Sequence, residues 1–198
     1  MKALLCIDLD GTLVDSLTYL RGVYFHFLRS YGYEGSEREF MELNGPAIAE
    51  VVEILKGRYR LEPAYDKLLA HYRYLITEEV PKLFPDAKEV LSHFVERGLT
   101  LALVTSAEAG YVDHIFNHHQ LKEMFTYFIT PDDCRGKPAP DLYLKALEKA
   151  AMPVEKSLAI EDSPNGMQAA LAAGMQAIYF QGSWRDVEKG VKEWYAQL

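Results

Sequence analysis

The chain has 198 residues, 49% hydrophobic and 25% charged, enough for one substantial core or for a core with a smaller inserted domain. Its net charge of −8, with no Lys/Arg stripe interleaved with aromatics, argues against a nucleic-acid backbone binder. Cys6 and Cys134 make no disulfide framework, MKALLCI meets Asp8 too early for a secretory segment, and no stretch is apolar enough to span a bilayer, so the expectation is a soluble cytoplasmic protein.

Residues 3–7 (ALLCI) form a short, nearly continuous apolar run, the pattern of a strand buried on both faces of a parallel sheet. From about Leu17 to Val80 no strand is evident, but LTYLRGVYFHFLRSYG, AIAEVVEILKGRYR and YDKLLAHYRYLITEEV are amphipathic. That stretch is too long for a loop and reads as an inserted helical subdomain, re-entering the core at PKLFPDA (81–87), where two prolines mark the junction. Its tyrosines at 19, 24, 31, 33, 59, 65, 72 and 74 are expected mostly to pack, and Arg58, Arg60 and Arg73 to lie on a solvated face rather than to meet a second anionic group of a ligand.

Helical patterns at 86–97, 141–151 and 165–173 then alternate with apolar runs at 99–105 (LTLALVT), 127–130 (YFIT), 157–160 (SLAI) and, as a possible fifth strand, 176–180 (QAIYF). The alternation predicts an open doubly wound α/β sheet, a Rossmann-like parallel sheet core of residues 1–15 and 82–198, with the inserted α-helical cap at 16–81.

In such a sheet, ligands bind beyond the carboxyl ends of the strands. The first run ends in Asp8, Asp10 and Thr12, the second in Thr105 and Ser106; the third leads through PDDCRG to Lys137, and the fourth ends in Glu161, Asp162 and Ser163. Two carboxylates about 4 Å apart repel by about 4 kcal/mol at an effective dielectric near 20, so the cluster needs a cation, a shared proton or wide exposure. Asp8, Asp10, Glu161 and Asp162 are hard oxygen donors with no His or Cys among them, which suits Mg²⁺ rather than Zn²⁺. Lys137, the Thr105 hydroxyl and amides in the turn at Gly11 add what a phosphate site needs.

Four motifs in order carry a resemblance: DLDGT at 8–12, the threonine ending LALVT at 105, the lysine of GKPAPDLY at 137, and the acidic pair of IEDSPNG at 161 and 162. With these the chain resembles the haloacid dehalogenase superfamily, in the subgroup with a small α-helical cap that includes phosphoglycolate phosphatases and beta-phosphoglucomutases. The resemblance implies a phosphoric monoester hydrolase in which Asp8 attacks phosphorus and forms an aspartyl-phosphate, and Asp10 protonates the leaving oxygen and then activates water. It implies Mg²⁺ held by Asp8, the backbone carbonyl of Asp10, Asp162, and Glu161 directly or through water. Thr105, Lys137 and the amide of Ser106 would bind the phosphoryl oxygens.

The expected partner is a small phosphorylated metabolite, with no nucleic acid or membrane, the chain acting as monomer or homodimer. A beta-phosphoglucomutase-like mutase shares the core site, but the cap segment LNGPAIAE (43–50) lacks an adjacent arginine-bearing sugar loop. A dehalogenase would lack Asp10; a catalytically silent binding module would not need every position filled. Ser163 and Pro164 read as the cap and first residue of a helix, Asp15 as a cap of the first helix of the insertion or a hydrogen-bonding neighbour of the site, and His114 with His118 as surface residues rather than a zinc pair.

Overall fold

The computed structural model describes residues 2–43, 46–78, 80–131 and 134–198. Two compact units divide it: Met1–Asp15 with Lys82–Leu198, and Ser16–Pro81. The first contains strands β1 (Leu4–Ile7), β2 (Thr100–Val104), β3 (Tyr127–Ile129), β4 (Ser157–Glu161) and β5 (Gln176–Tyr179). Helices α1 (Ser16–Arg29), α2 (Glu37–Glu42), α3 (Ile48–Tyr59) and α4 (Tyr65–Thr77) belong to the second unit. Helices α5 (Ala87–Glu96), α6 (Ala109–His119), α7 (Asp141–Ala150), α8 (Pro164–Ala172) and α9 (Trp184–Tyr195) belong to the first.

The strands form one parallel sheet in the order β3-β2-β1-β4-β5, with Leu4 in register with Thr100 on one side and Ser157 on the other. Every residue of β1 is buried, which is why it reads as an unbroken apolar run instead of alternating. The possible fifth strand is present and lies at the edge, where its terminal residues Gln176 and Tyr179 are exposed. Because β2 and β3 extend to one side of β1 while β4 and β5 extend to the other, the strand order reverses between β1 and β4. The carboxyl ends of those two strands therefore flank the crevice in which open α/β sheets bind ligands.

Helix α9 closes the first unit with a stripe of Trp184, Val187, Val191 and Trp194, all buried at helical spacing. Trp184 Nε1 also donates to the carbonyl of Thr12 over 3.1 Å, tying the C-terminal helix to the loop after β1. On α8, Ala169 and Ala170 are small enough to bring that helix close to the sheet, beside Ala159 of β4.

In the second unit α1 and α3 pack on α4 through Phe27, Leu28, Val52, Leu55, Leu68 and Tyr72, all buried. Most of its tyrosines pack, though Tyr33 and Tyr74 are exposed: Tyr72 meets Phe27 with centroids 5.0 Å apart, and Tyr19 donates to the carbonyls of Leu75 and Ile76 over 2.9 and 2.7 Å. Arg58 is exposed, as expected of a solvated face, and its Nη1 also reaches inward to lie 2.7 Å from Oε1 of buried Glu39. The same carboxylate accepts hydrogen bonds from the hydroxyls of Tyr24 and Tyr59. Arg73 is exposed. Asn44 and Gly45 of the expected Gly-Pro turn, and Asp132 and Asp133 of PDDCRG, lie outside the described residues. Among the described residues no helix is long and apolar enough to cross a membrane.

Candidate active site

Asp8 is the first residue beyond β1, and its N–H continues the sheet by donating to Ile160 of β4 over 3.1 Å. The chain then coils tightly: the carbonyl of Leu9 accepts from the amides of Leu13 and Val14 over 2.9 and 3.0 Å. Gly11 makes this turn with φ of 82°, and a Cβ there would stand 2.0 Å from Oδ2 of Asp162. Only glycine lets the loop after β1 lie against the carboxylate delivered by β4. Thr12, fully buried, donates from its hydroxyl to Oδ1 of Asp162 over 3.3 Å.

Asp8, Glu161 and Asp162 each present a carboxylate oxygen within 4.8 Å of the others. Asp8 and Glu161 are buried, Glu161 completely. Lys137 enters between them, its Nζ 2.5 Å from Oδ1 of Asp8, 2.5 Å from Oε1 of Glu161, and 2.8 Å from the carbonyl of Val104. Burial alone would lower the Lys137 pKa, but the carboxylates of Asp8 and Glu161 outweigh it and hold the ammonium above its ordinary value. Burial and the adjacent Asp8 charge push Glu161 up to about 7, and the same two causes push Asp162 up to about 6. One ammonium faces three carboxylates, so positive charge is in deficit.

The group is supported from behind. The hydroxyl of Tyr143 on α7 donates to Oε1 of Glu161, and the Lys137 ammonium stands 5.4 Å from the centroid of that ring. A Cβ at Gly166, in the first turn of α8, would fall 1.9 Å from Oε2 of Glu161, so that carboxylate fits only over a glycine. Ser163 caps α8 by accepting from the N–H of Gly166 over 3.0 Å, with Pro164 as the first helical residue.

Thr105 follows β2 and is buried, and its hydroxyl accepts from the N–H of Ala107 over 3.0 Å. Oγ of Ser106 accepts from the N–H of Lys137 over 3.2 Å, which links the second strand end to the lysine loop. The carboxylate of Asp10 stands outside the three-carboxylate group and accepts at Oδ1 from the hydroxyl of Tyr111 on α6, over 3.1 Å. Asp15 is exposed immediately before α1, and its N–H donates to Lys82 over 2.8 Å. His114 is half-buried and His118 exposed, and neither joins a metal-ligating group among the described residues. Sequence reasoning assigned no role to Tyr111, Tyr143 or Gly166; the aromatics follow strand ends at helical core positions and carry no signal that separates them from packing residues.

The donor set fits a hard divalent cation. It consists of oxygens alone, and Oε2 of Glu161 is buried with no hydrogen-bond partner among the described residues, a costly arrangement unless a cation satisfies it.

An acidic cluster around one buried lysine thus lies at the switch point of a parallel α/β sheet, the place where such folds bind ligands. Residues 5–180 match the family model described as haloacid dehalogenase-like hydrolase, and the chain belongs to that family. A phosphoglycolate phosphatase of Aliivibrio fischeri is 30% identical over 185 residues, covering 86% of this chain and 80% of that protein. A bifunctional riboflavin kinase/FMN phosphatase of Arabidopsis thaliana is 26% identical over 182 residues, 90% of this chain but 48% of that protein, so the chain spans about half its length. A solved structure of a predicted phosphoglycolate phosphatase from Haemophilus somnus 129pt shares the fold, with a TM-score of 0.79 at 22% identity over 91% of this chain and 86% of that one.

Proposed function

We propose that this chain is a Mg²⁺-dependent phosphatase that hydrolyses a small phosphorylated metabolite through an aspartyl-phosphate on Asp8. Residues 1–15 and 82–198 are its catalytic core and residues 16–81 its cap. The observation that carries the reading is the packing of Asp8, Glu161 and Asp162 within 4.8 Å around a single buried lysine. Phosphatases among the relatives support the same class of chemistry.

In this reading a carboxylate oxygen of Asp8 attacks phosphorus, and the bond from phosphorus to the leaving oxygen breaks as Asp10 donates its proton to that oxygen. Asp10, now a carboxylate, takes a proton from water as the water attacks the aspartyl-phosphate. The bond from phosphorus to Asp8 breaks, inorganic phosphate leaves, and both aspartates return to their starting states. Lys137, the Thr105 hydroxyl and the Ser106 amide hold the phosphoryl oxygens, where preorganised positive charge lowers the barrier most. The carboxylates of Asp8, Asp162 and Glu161, with the backbone carbonyl of Asp10, would hold Mg²⁺, which would screen the nucleophile's charge from the incoming phosphate.

The test is turnover of para-nitrophenyl phosphate with Mg²⁺. Asp8→Asn and Asp10→Ala are each expected to abolish it, as is EDTA; full activity in either variant overturns the mechanism. A screen of sugar phosphates, phosphoglycolate and nucleotides by kcat/KM then names the substrate.

A further inference from the structure

The Tyr111 hydroxyl, outside the motif residues, donates over 3.1 Å to the carboxylate assigned to proton transfer. Tyr111 is 7% exposed and stands in the first turn of α6, immediately after the second strand end. The connection that sets it there is short and pinned at both ends. The Thr105 N–H donates to Ile129 over 3.1 Å, its hydroxyl accepts from Ala107 over 3.0 Å, and the amides of Tyr111 and Val112 both return to the carbonyl of Glu108. Helical side chains lean toward the N-terminus of their helix, which turns the ring back toward the carboxyl ends of the strands. The phenol therefore arrives at Asp10 from a rigid element, 101 residues away in sequence.

We propose that Tyr111 is a positioning residue for Asp10. Resting on the phosphatase reading above, it adds a residue that the motifs do not contain. The chemistry follows from the inventory of donors. Oδ1 of Asp10 accepts the phenolic proton, which restrains rotation of the carboxyl about its Cβ–Cγ bond and so sets the direction in which Asp10 offers and takes the transferred proton. Loss of the phenol removes this restraint, and the acid spends less time aligned with the leaving oxygen.

The effect depends on the leaving group, which separates it from a structural role. An alkyl phosphate releases a strongly basic alkoxide and needs the acid; para-nitrophenyl phosphate releases a stable phenolate and hardly needs the acid to form the aspartyl-phosphate, the step that kcat/KM reports, although its full turnover still needs Asp10 as base. A positioned general acid contributes about 10² to 10⁴ in rate, and misaligning it forfeits part of that.

The experiment compares kcat/KM of the wild-type chain and Tyr111→Phe, with Mg²⁺, on para-nitrophenyl phosphate and on a simple alkyl phosphate such as glycerol phosphate. Phenylalanine keeps the ring and removes only the donor. Expected is a loss of about tenfold or more on the alkyl ester and under about threefold on the aryl ester. Equal losses on both esters, including complete loss through misfolding, or no loss on either, overturn the assignment. Tyr111→His, which restores a donor on a smaller ring, is expected to recover part of the alkyl-ester rate; failure to recover any counts against it. A wild-type chain inactive on both esters overturns the phosphatase reading itself, a result distinct from any pattern in the variant.

Discussion

Nζ of Lys137 lies 2.5 Å from Oδ1 of Asp8, with both side chains more than nine-tenths buried. In a buried site such an ammonium cannot be replaced by water, and no other cationic side chain contacts these carboxylates among the described residues. Lys137→Ala is expected to lower kcat by about 10² to 10³, the usual loss of a preorganised charge at a transferring group. Lys137→Arg is expected not to restore it, because a planar guanidinium does not fit where the ammonium contacts Asp8, Glu161 and the Val104 carbonyl together. Steady-state kinetics of the two variants decide the point; wild-type-like kcat in Lys137→Arg would show that charge alone suffices.

The metal-free site carries a pH signature. Burial and the Asp8 charge raise Glu161 to about 7 and Asp162 to about 6, above their ordinary 4.5 and 3.8. A carboxyl whose folded pKa is raised binds more protons folded than unfolded, so its contribution to stability is full below the unfolded pKa and fades as pH rises through the folded one. Between about pH 4 and 7 these two groups therefore erode the stability of the metal-free protein, while deprotonation would open their oxygens to the proposed cation. Added Mg²⁺ is expected to raise Tm little at pH 5 and by several degrees at pH 8, read by thermal unfolding. A rise independent of pH would place the cation elsewhere.

Much of this site was legible because its residues sit where strands stop. The runs ALLCI, LTLALVT and SLAI are apolar on both faces, and the polar residues that end them, Asp8, Thr105 and Glu161, mark the carboxyl edge of the sheet directly. The edge strand at 176–179 was harder to read, since its partly exposed residues give neither a buried run nor a clean alternation. Tyr111 and Tyr143 were illegible for a different reason. Each satisfies helical periodicity as a core aromatic, and the hydroxyl contacts that distinguish them, to Asp10 and Glu161, exist only after the chain has folded. Glu39 carried no sequence signal for the same reason: its burial, and its pairing with the exposed Arg58, exist only in the folded helical unit.

Gly166 makes a sharper test of the acidic group than any ligand substitution, because changing it alters no donor. A methyl group there would stand 1.9 Å from Oε2 and 2.1 Å from Cδ of Glu161, so the carboxylate must move. Gly166→Ala is otherwise favourable in a helix. The expected result is an unchanged or raised helix content with Mg²⁺ affinity reduced about 10- to 100-fold, the range for losing support behind a metal ligand. Calorimetric titration measures this without reference to activity, and wild-type affinity would show that Glu161 does not meet the ion.

The helical unit has its own electrostatic centre in Glu39. Ser36 caps α2 by accepting from the Glu39 N–H over 3.2 Å, as in a capping box, yet the Glu39 carboxylate does not return to Ser36. The Tyr24 hydroxyl takes that place, accepting from the Ser36 N–H over 2.9 Å, and this frees Glu39 to receive Tyr24, Tyr59 and Arg58. Burial pushes the Glu39 pKa up, but the three donors outweigh it and hold the carboxyl below its ordinary 4.5. A depressed carboxyl contributes stability that is present above the unfolded pKa and lost as pH falls through the folded one. Glu39→Gln is expected to cost about 1–3 kcal/mol at pH 7, since one amide must face two hydroxyl donors and a guanidinium. The deficit should shrink as pH falls from the ordinary 4.5 through the depressed folded value, where the wild-type carboxyl also loses its charge. Denaturant unfolding at the two pH values checks this, and an equal deficit at both would mean that shape rather than charge holds the cluster together.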